Sequence, residues 1–243
     1  MTAEIGKVSG LWRYPVQSLQ GEAMPELDFT SQGAVGDRGY CVVDDTSEGG
    51  TAARPKWKKL IAWRARYLAE PRAGRDLPKV EIDFADGVRM ISDDPRLDDA
   101  ISERLGRSAR LARTLAPGVI RPYKASPCHL LTSATLKALG EAYPQGRFDP
   151  ARFRPNVVLD CGDRVGFLEQ DWMQRSLTIG PVAMAVVEHC LRCALTTRPQ
   201  GDLTMDPGIL HAAQQHNENR VGVYAELIET GRIRMGDPVV LRD

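Results

Sequence analysis

The sequence predicts a mainly β (α+β) protein that has a β-barrel core, a smaller N-terminal β-rich subdomain and a few flanking helices. Short runs of β-branched and aromatic residues recur along the chain and are separated by turn-forming clusters. Near the C-terminus, residues 229–238 place glycine turns between short strands, a pattern typical of a small barrel. Helical spacing of apolar residues is confined to a few segments.

In the first half of the chain we predict strands at residues 7–13, 40–44, 79–84 and 109–114. A helix is expected over residues 95–105 because its apolar residues have helical spacing and Gly106 can end it. A second helix begins at Thr132 and Ser133, both of which are residue types that cap helix N-termini, and it is expected to end at Gly140.

In the second half we predict one helix, over residues 207–217, and strands at residues 155–160, 176–180, 182–188, 221–228 and 237–241. Prolines and a glycine interrupt regular structure over residues 117–127. We therefore place a domain boundary there, between an N-terminal region of residues 1–116 and a C-terminal domain of residues 117–243. A length of 243 residues suits one large domain or two closely joined ones.

Composition excludes several classes of function. The chain has 32 Lys+Arg and 32 Asp+Glu, so its zero net charge gives no electrostatic basis for binding nucleic acid. No stretch approaches the roughly 18 uninterrupted apolar residues of a membrane span, and the N-terminus has no signal-peptide pattern. Five scattered cysteines do not form a disulfide framework. We expect a cytoplasmic protein without a membrane partner.

The most informative segment is residues 188–197, which contains Cys190, Arg192 and Cys193 directly after an apolar strand-like run. A thiolate is a soft metal ligand, and a neighbouring cation favours the ionised form. An arginine can hold a phosphate through two parallel hydrogen bonds. Such a segment suits a cofactor that carries a metal at one end and a phosphate at the other.

Other interpretations of the two cysteines compete with this one. Buried cysteines are commonly structural, so Cys190 and Cys193 could be core residues. A zinc site needs about four ligands, and the chain has no second C-x-x-C pair. A thioredoxin-like pair should open a helix, whereas residues 194–197 resemble a strand or loop. A metal that a bound cofactor already holds through its own sulfurs would need only one protein thiolate.

Residues 188–197 resemble the cysteine motif of the molybdenum-cofactor sulfurase C-terminal (MOSC) domain. The similarity is greatest to the branch that contains the amidoxime-reducing component and its bacterial relatives. The N-terminal motifs are similar to the β-barrel region that precedes the MOSC domain in this branch. The further motifs that carry the resemblance, in chain order, are residues 14–19, 36–40, 152–158, 169–172 and 177–180.

The resemblance implies that the protein binds one molybdenum cofactor, with Cys193 as the metal ligand and catalytic residue and Cys190 as a packing residue or a neighbour that tunes the site. Position 17 departs from the family, because Gln17 stands where many members have lysine. The cofactor-binding residues that it implies are Ser18, Arg38, Thr132, Ser133, Arg154, Asn156 and Arg192. A role for pyridoxal phosphate is left open.

By the same resemblance, the reaction is the reduction of small N-hydroxylated substrates: amidoximes, N-hydroxylated bases and N-oxides, which give their oxygen to molybdenum. No cysteine follows Cys193, so we expect the electrons to come from an external reductase or from an iron–sulfur or haem protein. The alternative is a non-catalytic carrier that holds the cofactor, or a sulfur atom on Cys193, and passes it on.

Overall fold

The computed structural model describes residues 2–46, 48–115, 117 and 128–242. In these ranges the α-helices are α1 (Leu97–Leu105), α2 (Ser133–Ala142), α3 (Pro150–Phe153) and α4 (Gly208–Asn217), and the 3₁₀ helices are Pro55–Ala62, Leu168–Trp172 and Ala194–Thr197. The strands are β1 (Thr2–Arg13), β2 (Glu22–Ala23), β3 (Glu26–Thr30), β4 (Gly33–Ala34), β5 (Tyr40–Val43), β6 (Arg64–Tyr67), β7 (Val80–Asp83), β8 (Arg89–Ile91), β9 (Arg110–Arg113), β10 (Cys128–Thr132), β11 (Val157–Asp160), β12 (Ser176–Ile179), β13 (Val182–Leu191), β14 (Arg220–Glu229), β15 (Gly231–Arg234) and β16 (Pro238–Arg242).

The chain divides into two compact units. The barrel unit comprises Met1–Trp12, Ala23–Val35 and Ser126–Asp243, and the second unit comprises Arg13–Glu22 and Gly36–Ala125. The predicted boundary between residues 116 and 117 falls beside residues 116 and 118–127, which lie outside the described residues, so it stays a prediction.

Seven strands close the barrel of the barrel unit. Their order is β11-β10-β14-β13-β12-β16-β1, and β1 pairs again with β11. Neighbouring strands are antiparallel except β10 and β11, which run parallel. Closure satisfies the backbone groups that an open sheet would leave at its edges. The predicted mainly β fold with a barrel core is therefore confirmed.

Alternating apolar side chains fill the barrel. In β12, for example, Leu177 and Ile179 are fully buried while their neighbours are partly exposed. Such aliphatic side chains each contribute about 1.5–3 kcal/mol when they leave water. The core that results includes Val8, Leu130, Val157, Leu177, Ile179, Val186, Val223 and Leu241. A separate sheet of this unit has the strand order β15-β3-β4.

The second unit contains two small antiparallel sheets, β5-β9 and β6-β7-β8. Its core includes Trp57, Leu60 and Ile101, each with at most 1% of its surface exposed. The rings of Trp63 and Phe84 pack edge to face with their centroids 4.8 Å apart. None of the helices in the described ranges has the length and hydrophobicity that a membrane crossing requires.

The helices show where sequence patterns work and where they stop. Helix α1 ends at Gly106, which is left-handed with a φ of 71° as its predicted role requires. The Thr132 hydroxyl caps α2 by accepting the N–H of Thr135 at 3.1 Å. The helix runs beyond the predicted stop at Gly140 to Ala142, and the backbone N–H of Tyr143 still donates to the carbonyl of Leu139.

Candidate functional site

The end of strand β13 presents the two neighbouring cysteines differently. Irregular register between residues 186 and 188 and between 189 and 191 bends the strand there. Cys190 consequently lies inside with none of its surface exposed, while Cys193, beyond the strand, is exposed. The structure describes all five cysteines, and Cys193 alone among them is exposed. A thiol in this position is accessible to a metal.

A buried arginine fixes the turn that follows Cys193. Arg152 is 1% exposed. Its Nη1 donates to the carbonyl of Thr196 at 3.1 Å, its Nη2 to that of Thr204 at 3.0 Å and its Nε to that of Arg147 at 2.9 Å. Burial lowers the pKa of this guanidinium from its usual value. Sequence reasoning missed this role, because nothing in the sequence distinguishes a buried arginine from a solvated one.

Arg192 is held by the protein itself. Its Nη1 donates to Cys190 Sγ, and its Nη2 donates to the carbonyl of Phe153 at 2.8 Å. The guanidinium also lies over the Phe153 ring, with its carbon 5.6 Å from the ring centroid. Among the described residues, the buried Nε of Arg192 has no hydrogen-bond partner. One of its donor groups is therefore available to a ligand.

The environment of Cys190 favours a thiolate. Burial by itself opposes ionisation of this thiol. The charge of Arg192 and, after it, the charge and hydrogen bond of His129 outweigh that effect and lower the pKa of Cys190 to about 6. The hydroxyl of Tyr224 acts in the same direction. Cys190 is consequently a packed residue whose surroundings lower its pKa.

Arg154 and Asn156 both contact His129 from the segment between α3 and β11. Arg154 ends α3 in a left-handed conformation with a φ of 56°, and its carbonyl lies 3.3 Å from His129 Nδ1. Asn156 is fully buried: its Oδ1 accepts the backbone N–H of His129 at 3.1 Å, and its Nδ2 donates to the carbonyl of Trp12 at 3.3 Å. The amide of Asn156 thus joins β10 to β1 inside the barrel wall.

Thr132 and Ser133 lie at the opposite end of β10, at the N-terminus of α2. A buried carboxylate, Glu169, already occupies this helix end: it accepts the N–H of Thr132 at 2.9 Å and the hydroxyl of Thr135. Burial raises the pKa of Glu169 above its ordinary value. The hydroxyl of Ser133 accepts the N–H of Cys161 at 3.0 Å. The hydroxyls of both predicted cofactor-binding residues therefore have structural partners.

Ser18 and Arg38 belong to the second unit. Ser18 Oγ accepts the N–H of Ala52 at 3.1 Å, and the neighbouring Gln17 Nε2 donates to the carbonyl of Gly50 at 3.1 Å. Both side chains thereby anchor one loop of that unit.

The guanidinium of Arg38 is an ion-pair partner of Asp37 and stacks over the Tyr14 ring, with its carbon 5.2 Å from the centroid. The Arg38 side chain is 22% exposed. It retains access to solvent, although part of its charge is balanced inside the unit.

Backbone conformation is unusual at several of the predicted site residues. Non-glycine residues with positive φ are costly, and they cluster at functional sites. Within the described residues there are six of them: Ser18, Arg38, Arg154, Gln174, Glu218 and Asn219. Three are predicted cofactor-binding residues. The backbone N–H of Arg192 donates to the carbonyl of Asn219 at 2.9 Å, and Nδ2 of Asn219 donates to the carbonyl of Arg192 at 2.6 Å. The buried Oδ1 of Asn219 has no hydrogen-bond partner within the described ranges.

The family described as MOSC domain matches residues 117–240, just over half of the chain, and the MOSC N-terminal beta barrel domain matches residues 5–70. The chain belongs to the MOSC family. The predicted resemblance is thereby confirmed. The match spans both units, because residues 5–70 include strands of the barrel as well as part of the second unit.

Named relatives of this MOSC protein point to one branch. Mitochondrial amidoxime-reducing component 1 of Mus musculus is 25% identical over 98% of this chain and 83% of its own length. Mitochondrial amidoxime reducing component 2 of Homo sapiens is 24% identical over 97% of this chain and 83% of its own length. Family and relatives together support a function associated with the molybdenum cofactor.

Among solved structures, the YUAD protein from Bacillus subtilis superposes with a TM-score of 0.52 at 12% identity, covering 99% of this chain and 96% of the other. At that identity the likeness shows a shared fold.

Proposed function

We propose that this MOSC protein binds a molybdenum cofactor with Cys193 as the metal ligand and reduces small N-hydroxylated compounds. The observation that carries the proposal is that Cys193, just beyond the end of β13, is exposed, whereas the other four cysteines are buried. An exposed thiol beside a guanidinium is the chemistry that a soft metal needs from one protein ligand. The names of the amidoxime-reducing relatives support the choice of substrate class.

Polar groups beside Cys193 fit the proposed cofactor. The buried Nε of Arg192 offers a donor and the buried Oδ1 of Asn219 offers an acceptor, and neither has a partner within the described residues. Unsatisfied buried groups in a native protein call for a ligand or a water. Arg154 adds a positive charge that favours an anionic phosphate. We assign Arg154, Arg192 and Asn219 to holding the pterin. The cofactor contacts predicted for Ser18 and Arg38 stay predictions.

When bound, the molybdenum cofactor supplies the two-electron chemistry of oxygen transfer. An amidoxime takes up two electrons and two protons, its N–O bond breaks, and the products are an amidine and water. The chain's own residues bind and orient the reacting groups. Arg152 fixes the turn after Cys193, and Phe153 holds the Arg192 guanidinium in one orientation.

The electrons in this proposal come from a partner protein, a reductase or an iron–sulfur or haem protein. We also propose a cytoplasmic location, because five free cysteines suit a reducing compartment.

Exposure of Cys193 also favours a second candidate function. A thiol open to solvent can carry a sulfur atom as a persulfide, or hold a cofactor, and pass it to another protein without turnover. Catalytic reduction distinguishes the enzyme from such a carrier.

The test is reduction of benzamidoxime by protein made in molybdate-replete cells, with an artificial electron donor. We expect the Cys193→Ser variant to lose the activity, because a hydroxyl is a poor ligand for a soft metal. The control is Cys161→Ala, since Cys161 is buried and its pKa is raised to about 11 by that burial, which makes it an inert thiol. Equal activity in Cys193→Ser and in the unmodified protein would refute the ligand assignment.

A further inference from the structure

The imidazole of His129 lies between two hydrogen-bond acceptors. It is 2% exposed; its Nδ1 is 3.3 Å from the carbonyl oxygen of Arg154 and its Nε2 is 3.3 Å from that of Val221. A carbonyl oxygen only accepts hydrogen bonds. A neutral imidazole donates from one nitrogen and would direct the lone pair of the other at a carbonyl oxygen. The geometry therefore favours a ring that carries both protons.

A buried imidazolium needs a counter-charge, and Cys190 is placed to supply it. Cys190 Sγ accepts from Arg192 Nη1 and is hydrogen-bonded to His129 and Tyr224. The groups that act most strongly on Cys190 are thus Arg192 beyond β13, His129 on β10 and Tyr224 on β14. A buried imidazolium next to the half-buried guanidinium of Arg192 is costly without an anion between them. A thiolate at Cys190 would supply the counter-charge for both His129 and Arg192.

The backbone holds the imidazole in this position. A Cβ on Gly222 would lie 2.5 Å from His129 Nε2 and 2.5 Å from the carbonyl oxygen of Leu130, so only glycine leaves room for the ring. On another side, the Tyr224 ring lies with its centroid 5.4 Å from that of His129. The ring is confined before any ligand binds.

We propose that Cys190 is a buried thiolate which forms an ionic cluster with the His129 imidazolium and the Arg192 guanidinium, and that this cluster orients Arg192 beside Cys193. Cys190 is then a positioning residue. The thiolate and the carbonyl of Phe153 take up the two terminal nitrogens of Arg192, which leaves Nε for a ligand. That last step rests on the proposed function, whereas the charge state of the cluster does not.

The first test is an ultraviolet titration of metal-free protein that carries Cys193→Ser, so that the exposed thiol makes no contribution. Thiolate absorbance should rise by one equivalent with a midpoint near the pKa of about 6 of Cys190. The double variant Cys190→Ser/Cys193→Ser should lack this step. Cys161 stays protonated in this range, because its pKa is about 11. Absence of the step up to neutral pH, or its persistence in the double variant, would overturn the proposal.

The second test combines nitrogen NMR of the unmodified chain, which does not depend on a variant folding, with a titration of a His129 variant. Nitrogen NMR at neutral pH should show both ring nitrogens of His129 protonated, and His129→Gln should move the thiolate step to at least tenfold lower proton concentration. A singly protonated His129 ring would contradict the proposal. Neither measurement needs molybdenum, so failure of the cluster and failure of the proposed enzymatic function are distinguishable.

Discussion

Replacing Arg152 with methionine tests whether this buried guanidinium holds the turn that follows Cys193. Arg152 donates to three carbonyl oxygens, and hydrogen bonds to a charged group contribute about 1.5–3 kcal/mol each. Their sum is an upper bound, because burying a guanidinium costs several kcal/mol and the freed carbonyls can turn towards water. We expect Arg152→Met to lower the free energy of unfolding by about 2–4 kcal/mol.

The assay is urea unfolding of the Arg152→Met variant beside a matched control, Arg147→Met. Arg147 lies five positions away; its side chain is 56% exposed and pairs with Asp202 and Asp149. Exposed ion pairs contribute little, so the control should lose less than about 1 kcal/mol. Its backbone carbonyl, which accepts from Arg152, is unchanged by the substitution. Equal losses in the two variants would refute the role given to Arg152.

Two further predictions concern other buried contacts of the barrel unit. Burial raises the pKa of Glu169, so protonated Glu169 contributes stability below its unfolded pKa, and this contribution is lost as the pH rises through the folded pKa. In urea unfolding across that pH window, the free energy of unfolding should fall less for Glu169→Gln than for the unmodified protein. The same pH dependence in both proteins would contradict this. Gly222→Ala should lower stability by about 2–4 kcal/mol, because the new methyl group would meet His129 Nε2 and the Leu130 carbonyl oxygen. Gly87→Ala is its control, with the same φ of 83° and open space around it, and a thermal melt that finds equal losses would refute the steric argument.

Much of the fold could be predicted from local patterns. The apolar, β-branched run in residues 182–188 predicted β13, and the strand buries most of these side chains. Closure of the barrel could not be predicted this way, since β1 pairs with both β11 and β16 across most of the chain. The short helix α3 was also missed, because its four residues are too few to show helical periodicity.

In the candidate site, too, local patterns were predictable and tertiary contacts were not. Cys193 and Arg192 were found from one contiguous motif. The lowered pKa of Cys190 was not, because it depends in part on His129, a residue of a different strand. Asn156 and Thr132 were predicted as ligand-binding residues, and their partners inside the fold could be found only from tertiary structure. Their proposed contacts with a cofactor stay predictions.

The most direct test of the central claim is the molybdenum and pterin content of protein purified from molybdate-replete cells, compared with that of its Cys193→Ser variant. If Cys193 is the metal ligand, the unmodified protein should carry close to one molybdenum atom and one pterin per chain, and the variant should lose the metal. A background level of molybdenum in the unmodified protein, or the same molybdenum content in both proteins, would contradict the account.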